Sequence, residues 1–330
     1  MAKHVSGLLS LWEKVNKIGL LLHTVRYLKP IQVGYRLKYF FRNRLGKSPQ
    51  LVVYNDISRN AETGLKFKPS IDNNKSYSPE NAFTFLNLEH TFSAHIDWNY
   101  AAYGRLWTYN LNYFEYVNQK DISVEERLKL IDEFIKSIDN NKTGLEPYPI
   151  SLRVMNWIRF FITHHIDDEK YNGYVWAQLQ LLRKLKEYHL MGNHLLENGF
   201  AFLFGAYYLN DSTLYKEAKT ILLPELKEQI LKDGAHFELS PMYHSLMTYR
   251  LLDCYNLVIS NDLFNRELET FLKKELEGML SFLQAISFRN GYIPLMNDAA
   301  NGIAPTPSEL FDYAHRLGLD MRESTLSDSV

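Results

Sequence analysis

The chain has 330 residues, 46% hydrophobic and 23% charged, which excludes wholesale disorder and leaves room for one large domain or two small ones. A single cysteine, Cys254, excludes an intramolecular disulfide framework and a cysteine-based zinc cluster. The net charge of −1 excludes nucleic-acid binding driven by overall charge, so no nucleic-acid partner is expected.

That near-zero total hides an asymmetry. Residues 1–50 hold ten Lys/Arg and one acid, Glu13, for a net of +9. Leu8, Leu11, Trp12, Val15, Ile18 and Leu22 recur there at helical spacing. A basic amphipathic stretch suits peripheral contact with an anionic membrane or a polyanion, and equally a solvated arm packed on the domain. The longest apolar runs, Ile18–Leu22 and Phe200–Leu209, fall short of the roughly 18 residues of a membrane span, so no transmembrane span is expected. Glu13, Lys14 and Lys17 interrupt the apolar stretch that a secretory signal needs. A cytoplasmic location follows by default, with a periplasmic one as the alternative.

Residues 46–80 are rich in Asn, Ser, Asp, Lys and Pro and read as an extended connector with a short strand at Leu51–Tyr54. From about residue 120 onward the pattern is helical. Leu128, Ile131, Phe134, Ile135 and Ile138 recur at three and four, as do Leu152, Met155, Ile158 and Ile162, and Leu268, Phe271, Leu272, Leu276, Met279, Leu280 and Leu283. Helices are predicted at 124–138, 151–165, 175–190, 194–209, 213–231, 242–259 and 308–318. Ser151, Asn193 and Ser240 stand as caps, the last followed by Pro241 at the first helical position. No convincing strand pairs appear. The expected fold is all-α, an array of antiparallel helix hairpins closing as a solenoid or ring, preceded by a basic arm and connector over 1–84 and occupying 85–330.

Short links make neighbouring helices antiparallel, so the helices at 151–165, 194–209 and 242–259 should run in one direction. Their N-termini would then share a rim holding Arg153, Asn156, Asn193, His194, Glu197, Tyr243 and His244. Free N–H groups and the positive dipole ends make such a rim attractive to carboxylates and sulfates. Proton abstraction from C5 of a hexuronate is one reaction that this set would serve. An amide or a protonated imidazole shares the charge that develops on the carboxylate, while a phenol or imidazole takes the proton. Blander roles stand beside these. Asn193 can be a helix cap, Tyr243 a packed tyrosine, Arg153 an ion-pair member, and Trp107, Tyr109 and Tyr113 core rings rather than sugar platforms. Asn297-Asp298 can be turn residues. His194 and Glu197, at i and i+3, lack a third ligand for a metal, and no cofactor is expected.

Several segments together resemble the N-terminal helical domain of the heparinase II/III family of polysaccharide lyases, whose relatives act on glycosaminoglycans and alginate. They are Leu106-Trp107-Thr108-Tyr109-Asn110-Leu111-Asn112-Tyr113-Phe114, Pro147-Tyr148-Pro149-Ile150-Ser151-Leu152-Arg153, Asn193–Asn198, Glu238–His244 and Gly302-Ile303-Ala304-Pro305-Thr306-Pro307. The resemblance spans roughly residues 85–320. It implies an incomplete (α/α) toroid and an anionic polysaccharide substrate. It matches the family's charge-neutralising Asn or His to Asn193 and His194, and its catalytic Tyr to Tyr243, with Tyr249 as a second candidate. Tyr109, Asn110, Arg153, Asn156, Glu197, His244 and Asn297 are then expected to bind substrate. The family takes a further catalytic His from a β-sandwich that follows the toroid. No strand-rich region precedes Val330, so that domain is expected to be absent from this chain. A uronate C5-epimerase, and a non-catalytic glycan-binding module in capsule or exopolysaccharide production, are the rival expectations.

Overall fold

A computed structural model describes residues 23, 26–53 and 61–319. The chain forms two compact units, one of residues 1–49 with 187–191, the other of residues 50–186 with 192–330. In the first unit, helix α1 (Pro30–Arg44) starts with proline at its first position. None of its residues is buried.

Among its described residues, the second unit is all-α apart from one small sheet. Strands β1 (Tyr77–Ser78), β2 (Ala82–Phe85) and β3 (Leu88–Thr91) form an antiparallel meander with Phe83 opposite both Tyr77 and His90. This sheet departs from the expectation of no strand pairs. Its strands are too short to display a period of two, and its tight turn uses Leu86-Asn87, both with positive φ, rather than a glycine pair. Phe83 and Phe85 face inward, Phe83 against Tyr116 and Phe85 against Trp107, whose indole N–H donates to the Leu88 carbonyl at 3.0 Å. The strand expected at 51–54 does not form over the described residues 51–53.

Helices α2 (Arg105–Tyr113), α3 (Val124–Ser137), α4 (Pro147–His164), α5 (Glu169–Leu185), α6 (Gly192–Tyr208), α7 (Ser212–Gln229), α8 (Pro241–Ser260), α9 (Glu269–Ile286) and α10 (Pro307–Arg316) follow. They form an incomplete (α/α) toroid of antiparallel hairpins. Tyr171 near the start of α5 stacks on Phe161 near the end of α4, with centroids 5.4 Å apart, and Tyr208 at the end of α6 donates to Asn172 at 2.6 Å. Helices α4, α6 and α8 make an inner row, each packed on the next, with α5, α7 and α9 outside them.

The inner position explains the composition of α4, in which every residue from Pro149 to Ile162 is buried. Helix α4 begins four residues before the predicted 151, because prolines at 147 and 149 need no N–H partner in a first turn. Ser151 therefore lies inside the helix, and its hydroxyl donates back to Pro147 at 2.9 Å. Ser240 does cap α8, accepting from the Tyr243 N–H at 3.4 Å. Cys254 is buried on α8.

Candidate functional site

Three cross-links fix how the inner helices align. Asn198 on α6 donates to Ser151 on α4 at 3.1 Å. Arg250 on α8 pairs with Glu197 on α6 at 3.2 Å. Arg159 on α4 reaches Asp253 on α8 at 3.3 Å, and also donates to the Tyr249 hydroxyl. Residues at similar depth in each helix meet, so α4, α6 and α8 run in one sense and their N-termini share one end, as the alternation of helices predicts.

That end carries a polar cluster. The Asn193 amide, in the first turn of α6, donates to the Glu238 carboxylate at 3.3 Å. Its own oxygen is buried with no hydrogen-bond partner among the described residues. Glu238 lies in the segment leading into α8, and burial raises its carboxyl pKa while neighbouring His194 lowers it. The His194 ring lies 4.7 Å from that of Tyr148 in the first turn of α4. Tyr148 continues into a row of rings, 5.8 Å to Tyr113 and a further 6.1 Å to Tyr109. Tyr243, third residue of α8, is half-buried like Asn193, His194, Tyr148, Tyr109 and Asn110. The exposed Asn297 donates to the Leu239 carbonyl at 2.9 Å, holding a later loop against the same lead-in. The Tyr109 hydroxyl bonds to Glu146, which Arg105 also grips. Burial first and then Glu146 push the Tyr109 pKa up. Asn110 turns its amide back to the Leu106 carbonyl at 2.8 Å.

Four expected substrate ligands are placed elsewhere. Arg153 is fully buried, donating to Gln178 at 2.7 Å, to the Asn112 carbonyl at 3.0 Å and to the Gly144 carbonyl at 2.8 Å, with its plane 4.3 Å from the Phe134 ring. Burial lowers its pKa to about 9. It ties α4 to α5, to α2 and to the turn before α4. Asn156 is buried and donates to the Tyr113 carbonyl at 2.9 Å. Glu197 is buried against Arg250; burial raises its pKa and Arg250 opposes the shift. His244 is buried, and burial lowers its pKa to about 4. Its Nδ1 accepts from the His236 N–H at 3.2 Å, so the neutral ring carries its proton on Nε2 and donates to the Met279 carbonyl at 2.9 Å. These placements correct the expectation for all four: Arg153, Asn156 and His244 are buried and satisfied by backbone and neighbours, and Glu197 is buried with one oxygen on Arg250 and its Oε2 without a hydrogen-bond partner among the described residues.

Tyr249, the second candidate tyrosine, is likewise enclosed with Arg159, Asp253 and Tyr313. Arg159 keeps its proton although burial disfavours the charge, since Tyr249 and Asp253 outweigh it. Between the three helices, Met155, Asn156, Arg159, Phe204, Arg250 and Asp253 line a cavity of about 10 Å³, room for roughly one water. The space between the helices is therefore too small for a sugar ring. Glu238 and Tyr148 are the rim residues that reasoning on sequence overlooked. Their signal was adjacency: each lies in a segment already singled out.

Residues 146–308 match the family model described as Heparinase II/III N-terminus. That span contains every helix of the inner row and excludes Tyr109 and Asn110. No curated protein matches the chain. Among solved structures, a mutant of heparan sulfate lyase HepC from Pedobacter heparinus aligns at 18% identity and a TM-score of 0.47, over 66% of this chain and 38% of that one. A structure described as heparinase III, BT4657 gene product, with methylated lysines, aligns at 17% identity and a TM-score of 0.47, over 72% of this chain and 43% of that one. The chain thus spans about two fifths of the length of the lyase structures it matches.

Proposed function

The chain belongs to the heparinase II/III family through residues 146–308, and from that membership we propose that it forms the helical, substrate-binding part of a polysaccharide lyase that cleaves uronate-containing chains by β-elimination. One observation carries the proposal. The Asn193 amide already holds a carboxylate, that of Glu238, beside His194 and at the N-terminus of an inner helix. A uronate carboxylate would take the place of Glu238 there. Asn193 and His194 then share the charge that builds up as C5 loses its proton. Tyr243 accepts that proton. The C4–oxygen bond breaks, a C4–C5 double bond forms, and the departing glycosidic oxygen takes a proton back from the tyrosine. The half-buried rings of His194, Tyr148 and Tyr109, joined through the buried Tyr113, offer flat faces for neighbouring sugars.

A second reading has its own support. Arg153, Asn156, Glu197 and His244 are all committed to the scaffold, which leaves few side chains at the rim for catalysis and favours a non-catalytic glycan-binding module. The test is ultraviolet absorbance of the unsaturated uronate, read with the full-length protein on glycosaminoglycans, alginate and other polyuronates. An absorbance rise lost in Asn193→Ala and Tyr243→Phe supports the lyase. Glycan binding that survives Tyr243→Phe with no turnover supports the module. Deuterium exchange at C5 without cleavage would replace elimination by epimerisation.

A further inference from the structure

Helix α1 has two unlike faces. Tyr35, Tyr39, Gln32 and Arg36 turn to the segment 187–191 of the same unit. Tyr35 lies 4.7 Å from the Tyr188 ring, Tyr39 lies 5.1 Å from that of His189, and Gln32 donates to the Leu190 carbonyl at 3.2 Å. The other side carries Leu37, Phe40 and Phe41, with Ile31 and Leu45 at its two ends. Their exposures run from 42% to 66%. Around them, residues 26–47 hold seven Lys/Arg and no acid.

We propose that this face of α1 docks on an anionic lipid surface, with Leu37, Phe40 and Phe41 entering the headgroup–acyl boundary and Lys38, Arg44 and Lys47 meeting lipid phosphates. The inference goes beyond the lyase reading and does not depend on it. Charge and apolarity together select the occupant. A second copy would bring the same positive face, and residues 1–22, with three lysines against one glutamate, have the same sign. A soluble polyanion would satisfy the cations but leave the leucine and two phenylalanines in water. An anionic bilayer satisfies both sets. No helix among the described residues is long and apolar enough to cross a membrane, so the helix lies in the interface plane.

The experiment is co-sedimentation of the full chain with phosphatidylcholine vesicles and with mixed phosphatidylcholine–phosphatidylglycerol vesicles, at low and high salt. We expect partitioning at least about tenfold stronger on the anionic vesicles, weakened by salt. Leu37→Ser/Phe41→Ser and Lys38→Glu/Arg44→Glu should each lower it by about tenfold or more. Equal partitioning to both vesicles, or unchanged partitioning of both variants, overturns the proposal. So does capture by a soluble anionic glycan, or self-association, without vesicle binding. Should a double variant lose its far-ultraviolet dichroism, Phe41→Cys carrying an environment-sensitive fluorophore decides instead. A blue shift on anionic vesicles supports docking, and no shift overturns it.

Discussion

Arg250 on α8 and Glu197 on α6 form a buried ion pair at 3.2 Å, and Glu115 adds a second carboxylate at 3.1 Å from the same guanidinium. Burial disfavours the charge on Arg250, but the two carboxylates outweigh it and raise the pKa. Removing one partner strands a buried charge. Arg250→Met should cost about 3–5 kcal/mol, read as a shift of the urea midpoint at constant slope. The double variant Arg250→Met/Glu197→Leu should recover much of the loss. If the double variant is as unstable as the sum of both singles, the pair is not the source of the effect.

His236 and His244 make stability depend on acid. Burial lowers both to about 4 from 6.5, so the folded state keeps them neutral while the unfolded chain takes up protons below 6.5. Their contribution is complete above pH 6.5 and is lost as pH falls towards 4. At pH 5 each should have given up about 2 kcal/mol. His244→Gln keeps a donor for Met279 and an acceptor for His236 but cannot titrate. It should flatten the decline of the urea midpoint between pH 7 and 5 by about half, and an unchanged decline would refute the assignment.

The approach of Gly234 to Gly278 predicts an asymmetry. Gly234 has φ +88°, and a Cβ there would stand 2.1 Å from the Gly278 carbonyl oxygen. A Cβ on Gly278 meets nothing nearer than the Gly234 Cα at 3.6 Å. Gly234→Ala should destabilise by more than about 2 kcal/mol, combining strain and clash. Gly278→Ala, in the interior of α9, should be neutral or gain up to about 1 kcal/mol. Thermal melts of the two variants check this, and equal behaviour would contradict the contact.

At the rim, Glu238→Ala frees the Asn193 amide. Titration calorimetry with uronate oligosaccharides should show affinity rising several-fold, and Asn193→Ala should lower it. Were Glu238→Ala to weaken binding as much as Asn193→Ala, Glu238 would be a sugar ligand itself. Tyr148→Ala removes one link of the aromatic row and should weaken binding by roughly 2- to 10-fold, the worth of one ring contact.

Much of this architecture is legible in the chain, because spacing at three and four survives wherever a helix has one wet side. Helices α3 and α10 are bounded within a residue or two for that reason, and Ser240-Pro241 marks the start of α8 by its chemistry. The ambiguity came where no wet side exists. In α4, a helix buried all round, Arg153 and Asn156 look like outposts of a polar face, yet every position from 149 to 162 is interior. An arginine in so apolar a stretch should be read as anchored to carbonyls. His244 was misplaced because α8 is also an inner helix, and its period cannot distinguish the side facing α9 from the side facing the rim. The common sense of α4, α6 and α8 is legible because it follows from connectivity rather than from side-chain pattern. It brought Asn193, His194 and the start of α8 to one end without fixing which neighbour each would choose.

Glu238 is joined to the protein it occupies. A carboxylate carried on the same chain as its amide partner, 45 positions away in sequence, acts at an effective concentration of roughly millimolar, so a free monosaccharide acid at lower levels would be held off. A polymer that lays several sugars along the tyrosines gains from every added contact and can evict the tether. On the proposed polysaccharide-binding reading, the contact between Asn193 and Glu238 would thus work as a length filter, admitting chains and ignoring monomers.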